Sequence, residues 1–349
     1  MKKIKYVCFT ISALLILVSS ISAKNLCIRA VGDIMMGSLT PRPVLPEDRH
    51  LIQARKIQKY LAGADIVFGN LEGVFVAPDT LPQKCSESSR KAKKCYEFGM
   101  PLELVDVLID LGFSVLSIDN NHTSDYGDAG YQLTSEILKD NDIHAIPKGG
   151  HVIVRVKKKR IAFVAFGFTK KSYLLTNIKH TERIISDLSR RFPIVIVSFH
   201  GGKEGKDAQH VKNEMEMFYG EKRGNLIEFA HAAIDSGADL ILGHGPHVLR
   251  AVSIYRDRLI AFSLGNFYTF GQFRLSGPAG IGAILEVHIN DHDGRFVKGK
   301  IIPTVQVMAG VPAYDYKKDA IKLIRDLTES DFPEIPLRIS SDGLINSIN

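Results

Sequence analysis

The chain has 349 residues, 45 Lys and Arg against 38 Asp and Glu, a formal charge of +7 and 45% hydrophobic residues. That length is enough for one large domain or two small ones with a sizeable core. Outside the clusters at 90–94 and 157–160 the basic residues are scattered and no aromatics interleave with them, which argues against a nucleic-acid partner.

In chain order, the first 23 residues carry Lys2, Lys3 and Lys5, an apolar run from Val7 to Val18, and the small residues Ser19, Ser20, Ser22 and Ala23. This is the pattern of a secretory signal, and the run is shorter than the roughly 20 residues a membrane-spanning helix needs. Cleavage near Ala23 is the expectation, with a retained anchor as the alternative, and the protein is expected to be exported to the cell envelope, periplasmic or extracellular. Loss of Lys2, Lys3 and Lys5 takes the formal charge from +7 to +4. Cys8 falls within this segment, leaving Cys27, Cys85 and Cys95, an odd number with at least one free thiol. Cys85 and Cys95 flank a polar Ser/Lys-rich loop, where a disulfide suits an oxidising compartment. Cys27, inside an apolar strand, reads as a small core residue.

Strands are expected over 26–31, 66–68 and 115–118, with helices over 51–61 and 102–111 between them, and such alternation specifies a layered α/β fold. Residues 77–94 form a long polar loop, read as a lid or an exposed excursion. Asp128 is the expected N-cap of a helix reaching residue 140. Strands 152–156 and 161–166 then flank a basic turn as a hairpin. A strand at 194–197, a helix at 213–236 and a strand at 240–242 resume the parallel pattern. Strands at 252–255, 259–262, 284–289 and 297–302 read as antiparallel. Together these predict two sheets, a largely parallel one followed by an antiparallel one, covered by helices: a four-layer αββα sandwich in one domain over 24–328. After a last helix at 319–327, residues 329–349 read as a peripheral tail.

The polar residues gather where strands end. The stretch LILGHGPHVL, residues 240–249, sends His244 and His247 off an apolar strand with Gly-Pro between them, and proline disfavours a helix there. The other strand ends are VGDIM with Asp33, FGNLEG with Asn70 and Glu72, and SIDNNHTSDYG with Asn120, Asn121, His122 and Asp125. VSFHGGKE adds His200 and Glu204, and AFSLGNF adds Asn266. Singly, each has a structural reading as a cap, a turn or a satisfied core residue. If the strands lie side by side, however, their carboxyl ends converge. Several buried carboxylates and imidazoles are costly to desolvate together without a cation. Oxygen and imidazole ligands without thiolate suit manganese, zinc or iron, as one or two divalent ions.

The order GD, GNLE, NNH followed by DYG, FHGG, GHGPHV and SLGNF resembles the CapA family of poly-gamma-glutamate capsule biosynthesis proteins, whose fold is similar to the calcineurin-like metallophosphoesterases. The resemblance runs from Cys27 to Phe267. It implies that Asp33 and His247 bind a first metal, that Asn121, His200 and His244 bind a second, and that Glu72 stands where the superfamily has a bridging aspartate. It further implies that His122 is the general acid or orients a substrate phosphate, leaving Asn70, Asn120, Asp125, Glu204 and Asn266 as substrate contacts. Two ions about 4 Å apart can activate a bridging water and stabilise displacement at phosphorus. Met35 departs from the superfamily, which has histidine there.

Two functions follow as expectations. One is a metal-dependent hydrolase or transferase of the envelope, acting on a phosphoester or a polyglutamate-like polymer. The other is a non-catalytic component that holds an acidic polymer within a membrane-bound capsule synthesis complex. Neither a G-x-S-x-G elbow, a G-x-G-x-x-G loop nor a P-loop lysine motif is present, which argues against a serine hydrolase and a nucleotide-binding enzyme.

Overall fold

The computed structural model describes residues 25–92, 95–271 and 273–348. The signal-like segment lies outside them, as do Lys93 and Lys94 of the first basic cluster. A ten-stranded and a six-stranded sheet pack face to face. Between them lies a core built from alternate residues of each strand: Ile28, Ala30, Phe68 and Val115 on one side, Phe163, Ile196, Leu240 and Leu242 on the other. Period-two alternation makes this possible, because every second side chain of a strand faces the partner sheet.

The outward face of the larger sheet is covered by the Asp48–Arg55 and Val105–Asp110 helices, whose Ala54, Val107 and Leu108 pack on Val31, Val67 and Leu116. The smaller sheet is covered by the Ile178–Arg191 and Leu226–Asp235 helices, through Ile185, Leu188, Phe229 and Ala233. The four-layer α/β sandwich is therefore the architecture observed.

Several elements differ from expectation. Each sheet is mixed. The larger runs Asn25–Met35, Ile66–Leu71, Val115–Ser117 and His144–Ile146 in parallel and adds Ile281–Asn290 and Phe296–Val307 antiparallel. The smaller has Lys159–Phe166, Ile194–His200, Leu240–His244 and Arg258–Ala261 parallel, flanked by antiparallel edges. Chain order cannot reveal that the first and last thirds share one sheet.

The expected 213–236 helix is helical only over Leu226–Asp235; its first half is a hairpin of Glu216–Phe218 and Glu221–Gly224 around Tyr219 and Gly220, both at positive φ. Asn225 caps the true helix by accepting the Glu228 N–H. Asp128 is not an N-cap: Tyr126 holds that position ahead of Gly127–Asp140. The Ile178–Arg191 helix, capped by Asn177, was absent from the expected elements.

The stretch past residue 328 is more than a tail. The Asp319–Asp331 helix extends into it, and Leu337–Ile339 and Leu344–Ser347 form a hairpin on the larger sheet with Leu337, Ile339 and Ile345 in the core. Cys27 is half-buried and faces away from the core beside His288, so it is no core residue. Cys85 and Cys95 do form a disulfide, with Cα atoms 5.8 Å apart.

One close approach positions the site. The Asn25–Met35 strand meets the Leu264–Gly265 backbone where Asp33 N–H donates to Gly265 O at 2.9 Å, and a Cβ on Gly32 would stand 2.0 Å from that oxygen. Gly32→Ala is expected to force the strands apart and cost about 1–3 kcal/mol, read as a lowered unfolding midpoint; an unchanged midpoint would show that the contact yields freely.

Candidate metal centre

Strand register performs the first step of assembly. In the larger sheet Asp33 lies beside Asn70 on one side and Asn266 on the other. In the smaller sheet His244 lies beside His200. The sheets face each other, so an acidic half and an imidazole half meet at their carboxyl ends. Two contacts bridge them: Asn70 Nδ2 is 3.4 Å from His200 Nδ1, and His244 Nε2 is 3.1 Å from Val31 O.

At the centre is Glu72, fully buried, with Oε1 lying 3.5 Å from His247 Nε2, 3.8 Å from His200 Nε2 and 4.0 Å from His122 Nε2. Asp33, also fully buried, has Oδ2 3.0 Å from His247 Nδ1 and accepts from Asn70 Nδ2 through Oδ1 at 2.9 Å. His247 holds its place on a left-handed backbone, φ +58, pinned by Asn266, whose Nδ2 donates to His247 O and Ala279 O. Such a φ in a non-glycine residue is strain that surrounding contacts must hold. The Gly-Pro pair thus turns His244 and His247 toward different parts of one cluster.

The polar atoms left over decide what could bind. Glu72 Oε1 and Oε2, Asn121 Oδ1, His200 Nε2 and His244 Nδ1 are buried without a hydrogen-bond partner, and Asp33 Oδ2 has only the His247 ion pair. Native proteins rarely bury such groups unpaired, and here they converge. Asp33, Glu72 and His247 offer ligand atoms within 4.8 Å of one another. Asn121 Oδ1, His200 Nε2 and His244 Nδ1 are an amide oxygen and two imidazole nitrogens left unpartnered, with His200 Nε2 3.8 Å from Glu72 Oε1. Carboxylate, amide and neutral imidazole donors without thiolate fit one or two divalent ions of the manganese, zinc or iron kind. Met35 is buried and contributes no such ligand.

Protonation follows from the same crowding. Burial alone would raise Asp33, but the hydrogen bond and charge of His247 outweigh it and hold the carboxyl at about 2. Burial would lower His247; Glu72 and Asp33 push it instead up to about 10. Glu72 is raised well above the carboxylate range by burial, then by Asp33 and Glu204. Burial lowers His200 and His244 and keeps their rings neutral, the form that ligates.

His122 belongs to a separate pair. Its Nδ1 is 2.6 Å from Asp125 Oδ2, its ring stacks on Phe98 at 4.0 Å, and burial lowers it despite Asp125. Asp125 fixes the ring so that Nε2 faces Glu72.

Of the residues expected to touch substrate, Glu204 and Asn266 line clefts beside the cluster. Asn70, Asn120 and Asp125 do not line these clefts. They are buried behind the ligands, Asn120 donating to Asn70 Oδ1 at 3.1 Å and to Leu71 O at 2.8 Å, so they orient neighbours. Strand-end position in the sequence cannot distinguish a side chain facing the cleft from one behind it.

The cleft, about 660 Å³, also takes Lys84, Phe98, Arg223 and Phe273, which the motif pattern did not single out. Arg223 is held by Glu204 at 2.9 Å and by Glu221 at 2.8 Å, and lies 3.8 Å over the Phe168 ring. It sits in the segment expected to be helical, which hid it. Lys84 had one signal, its place next to Cys85.

A four-layer sandwich with acidic and imidazole groups at its strand ends defines a class of α/β proteins with a polar cleft whose residues could hold a divalent ion. The model of the family described as bacterial capsule synthesis protein PGA_cap matches residues 27–270, and the chain belongs to that family, the CapA family. It is 29% identical to the PGA biosynthesis protein CapA of Bacillus subtilis, over 86% of this chain and 77% of that one. It is 27% identical to the capsule biosynthesis protein CapA of Bacillus anthracis, over 77% of this chain and 65% of the relative's length. Among solved structures, a purple acid phosphatase from yellow lupin aligns with 85% of this chain and 55% of its own at 11% identity and a TM-score of 0.41, a likeness too distant to speak for chemistry.

A divalent ion at Asp33, Glu72 and His247 would have to displace the His247 proton, held up to about pH 10, and the proton that burial favours on Glu72. Its affinity is therefore expected to climb at least about tenfold per pH unit from about pH 6 to about 9, measured by calorimetric titration of manganese; an affinity indifferent to pH would place the ion elsewhere.

Proposed function

We propose that this protein is a metal-dependent hydrolase or transferase of the cell envelope that serves capsule-type polymer synthesis, with a phosphoester or a polyglutamate-like acidic chain as substrate. The unpartnered Glu72, Asn121, His200 and His244 atoms, buried beside the Asp33–Glu72–His247 group of candidate ligands, carry this reading, since a purely structural junction has no use for them. The relatives named for capsule and PGA biosynthesis support the polymer context. An export signal at 1–23 and a single domain that takes in the hairpin past residue 328 belong to the same reading, as does work beside a membrane-bound synthesis complex. Among the described residues no helix is long and apolar enough to cross a membrane.

In this reading Asp33, Glu72 and His247 would hold one ion and Asn121, His200 and His244 would hold a second. Bound there, a divalent ion supplies Lewis acidity and lowers the pKa of water. The protein's own groups do the rest. Asp125 accepts the Nδ1 proton of His122 and leaves Nε2 to hold or release a proton at the reacting bond. Phe98 and Phe273 pack on the His122 and His247 rings, at 4.0 Å and 4.9 Å, and shield them from water. Asn70 and Asn120 keep Asp33 and His200 in register.

His244→Ala is expected to lower the metal content of the purified protein, while His122→Ala keeps the metal and slows turnover about 10²–10⁴-fold. Metal analysis beside a hydrolysis screen of phosphoesters and polyglutamate reads both. Full metal in His244→Ala, or turnover indifferent to His122, would refute the assignment. A metal-free wild-type protein that still binds polyglutamate would favour the non-catalytic holding role, for which the open cleft with Lys84 and Arg274 is suited.

A further inference from the structure

One wall of the cleft is a strap with its ends tied together. The Cys85–Cys95 disulfide closes it, and buried Glu97 braces it, accepting from Cys85 N–H at 2.8 Å and pairing with Arg90 at 2.8 Å. Chain on both sides of the disulfide reaches the same carboxylate: Lys84 Nζ is 3.1 Å from Asp125 Oδ1, and Phe98 N–H donates to Asp125 Oδ2 at 2.7 Å. Lys84 Nζ also donates to Asn121 O at 3.0 Å. These contacts, with His122 Nδ1 3.4 Å from Nζ, hold the ammonium from its inner side. Lys84 nevertheless lines the cleft with its side chain about a third exposed, so its outer side faces the space a ligand would fill. Arg223, bound to Glu204 and Glu221, and Arg274 also line the cleft; Lys84 differs from them in being tied to Asn121 and Asp125, neighbours of the ligand cluster.

We propose that Lys84 is a substrate-positioning residue: its ammonium grips an anionic oxygen, carboxyl or phosphoryl, next to the reacting bond, and the Cys85–Cys95 disulfide holds it there. This rests on the reading of the cleft as the substrate site. Asp125 serves two neighbours, orienting His122 with one oxygen and fixing Lys84 with the other, so proton handling and anion recognition share one anchor.

The test is calorimetric titration of inorganic phosphate and of glutarate into manganese-loaded protein, comparing wild type with Lys84→Gln, Lys84→Arg, the double variant Cys85→Ser/Cys95→Ser, and that double variant combined with Lys84→Gln. Manganese content and the unfolding midpoint are measured on the same samples. At least one anion is expected to bind about tenfold more weakly to Lys84→Gln, the loss of one charge-assisted hydrogen bond, with partial recovery in Lys84→Arg. The anion so affected identifies the group as phosphoryl or carboxyl. The double serine variant is expected to weaken binding as well, and to add nothing once Lys84 is already Gln. Wild-type affinity in a manganese-replete Lys84→Gln, or binding of neither anion, overturns the proposal; wild-type affinity in the double serine variant overturns the part assigned to the disulfide. Absence of manganese from the wild type counts against the metal reading alone, since the same titrations on metal-free protein still test Lys84.

Discussion

The site depends on the cost of burying Asp33 and Glu72, two carboxylates with no accessible surface, at the junction of two sheets. A lone ionised carboxylate cannot remain in such a place, so the fold must bring compensation to it. Within the protein the compensation is His247, held as an imidazolium against Asp33, while burial raises the Glu72 carboxyl well above the carboxylate range. A divalent ion bound there would do the same work with more charge and with more of the available lone pairs. The strained backbone of His247 places its ring between the two carboxylates.

Around this centre the scaffold supplies rigidity. Parallel strands align Asp33 with Asn70 and His200 with His244 by register alone, and the apolar layer between the sheets fixes the distance between the two halves. Behind the ligands, Asn70 and Asn120 run a chain of amide contacts from Leu71 O to Asp33. These amides are fully engaged, so they hold direction for their neighbours and offer little to a substrate. On the cleft side, Glu97 and the Cys85–Cys95 disulfide brace the chain that leads into the Gly99–Pro101 strand.

Much of this was legible before any coordinates. The alternation of strands and helices specified a layered fold because burial on two faces imposes it, and polar residues beside glycine at six strand ends marked a common rim. The spacing of Cys85 and Cys95 around a polar loop pointed to their bridge. Other features were hidden for physical reasons. Residues 213–224 resemble a helix in composition, yet Tyr219 and Gly220 take positive φ and turn the chain into a hairpin, which brings Arg223 to the cleft. Cys27 lies in an apolar strand, but strand alternation sends it outward beside His288.

By itself, then, the sequence determined the kinds of ligand, their order, and their place at strand ends, because these depend on residue chemistry and local periodicity. Tertiary structure alone decided which of them meet. Asn70, Asn120 and Asp125 look like Asn121 and Glu72 in the sequence, yet Asn70 and Asn120 spend their amides on neighbours and Asp125 faces His122 and Lys84, whereas Asn121 and Glu72 keep oxygens without a partner. That distinction comes from how two sheets stack and twist, a property of contacts distant in the chain, and so does the arrival of Lys84 at Asp125 from 41 positions away.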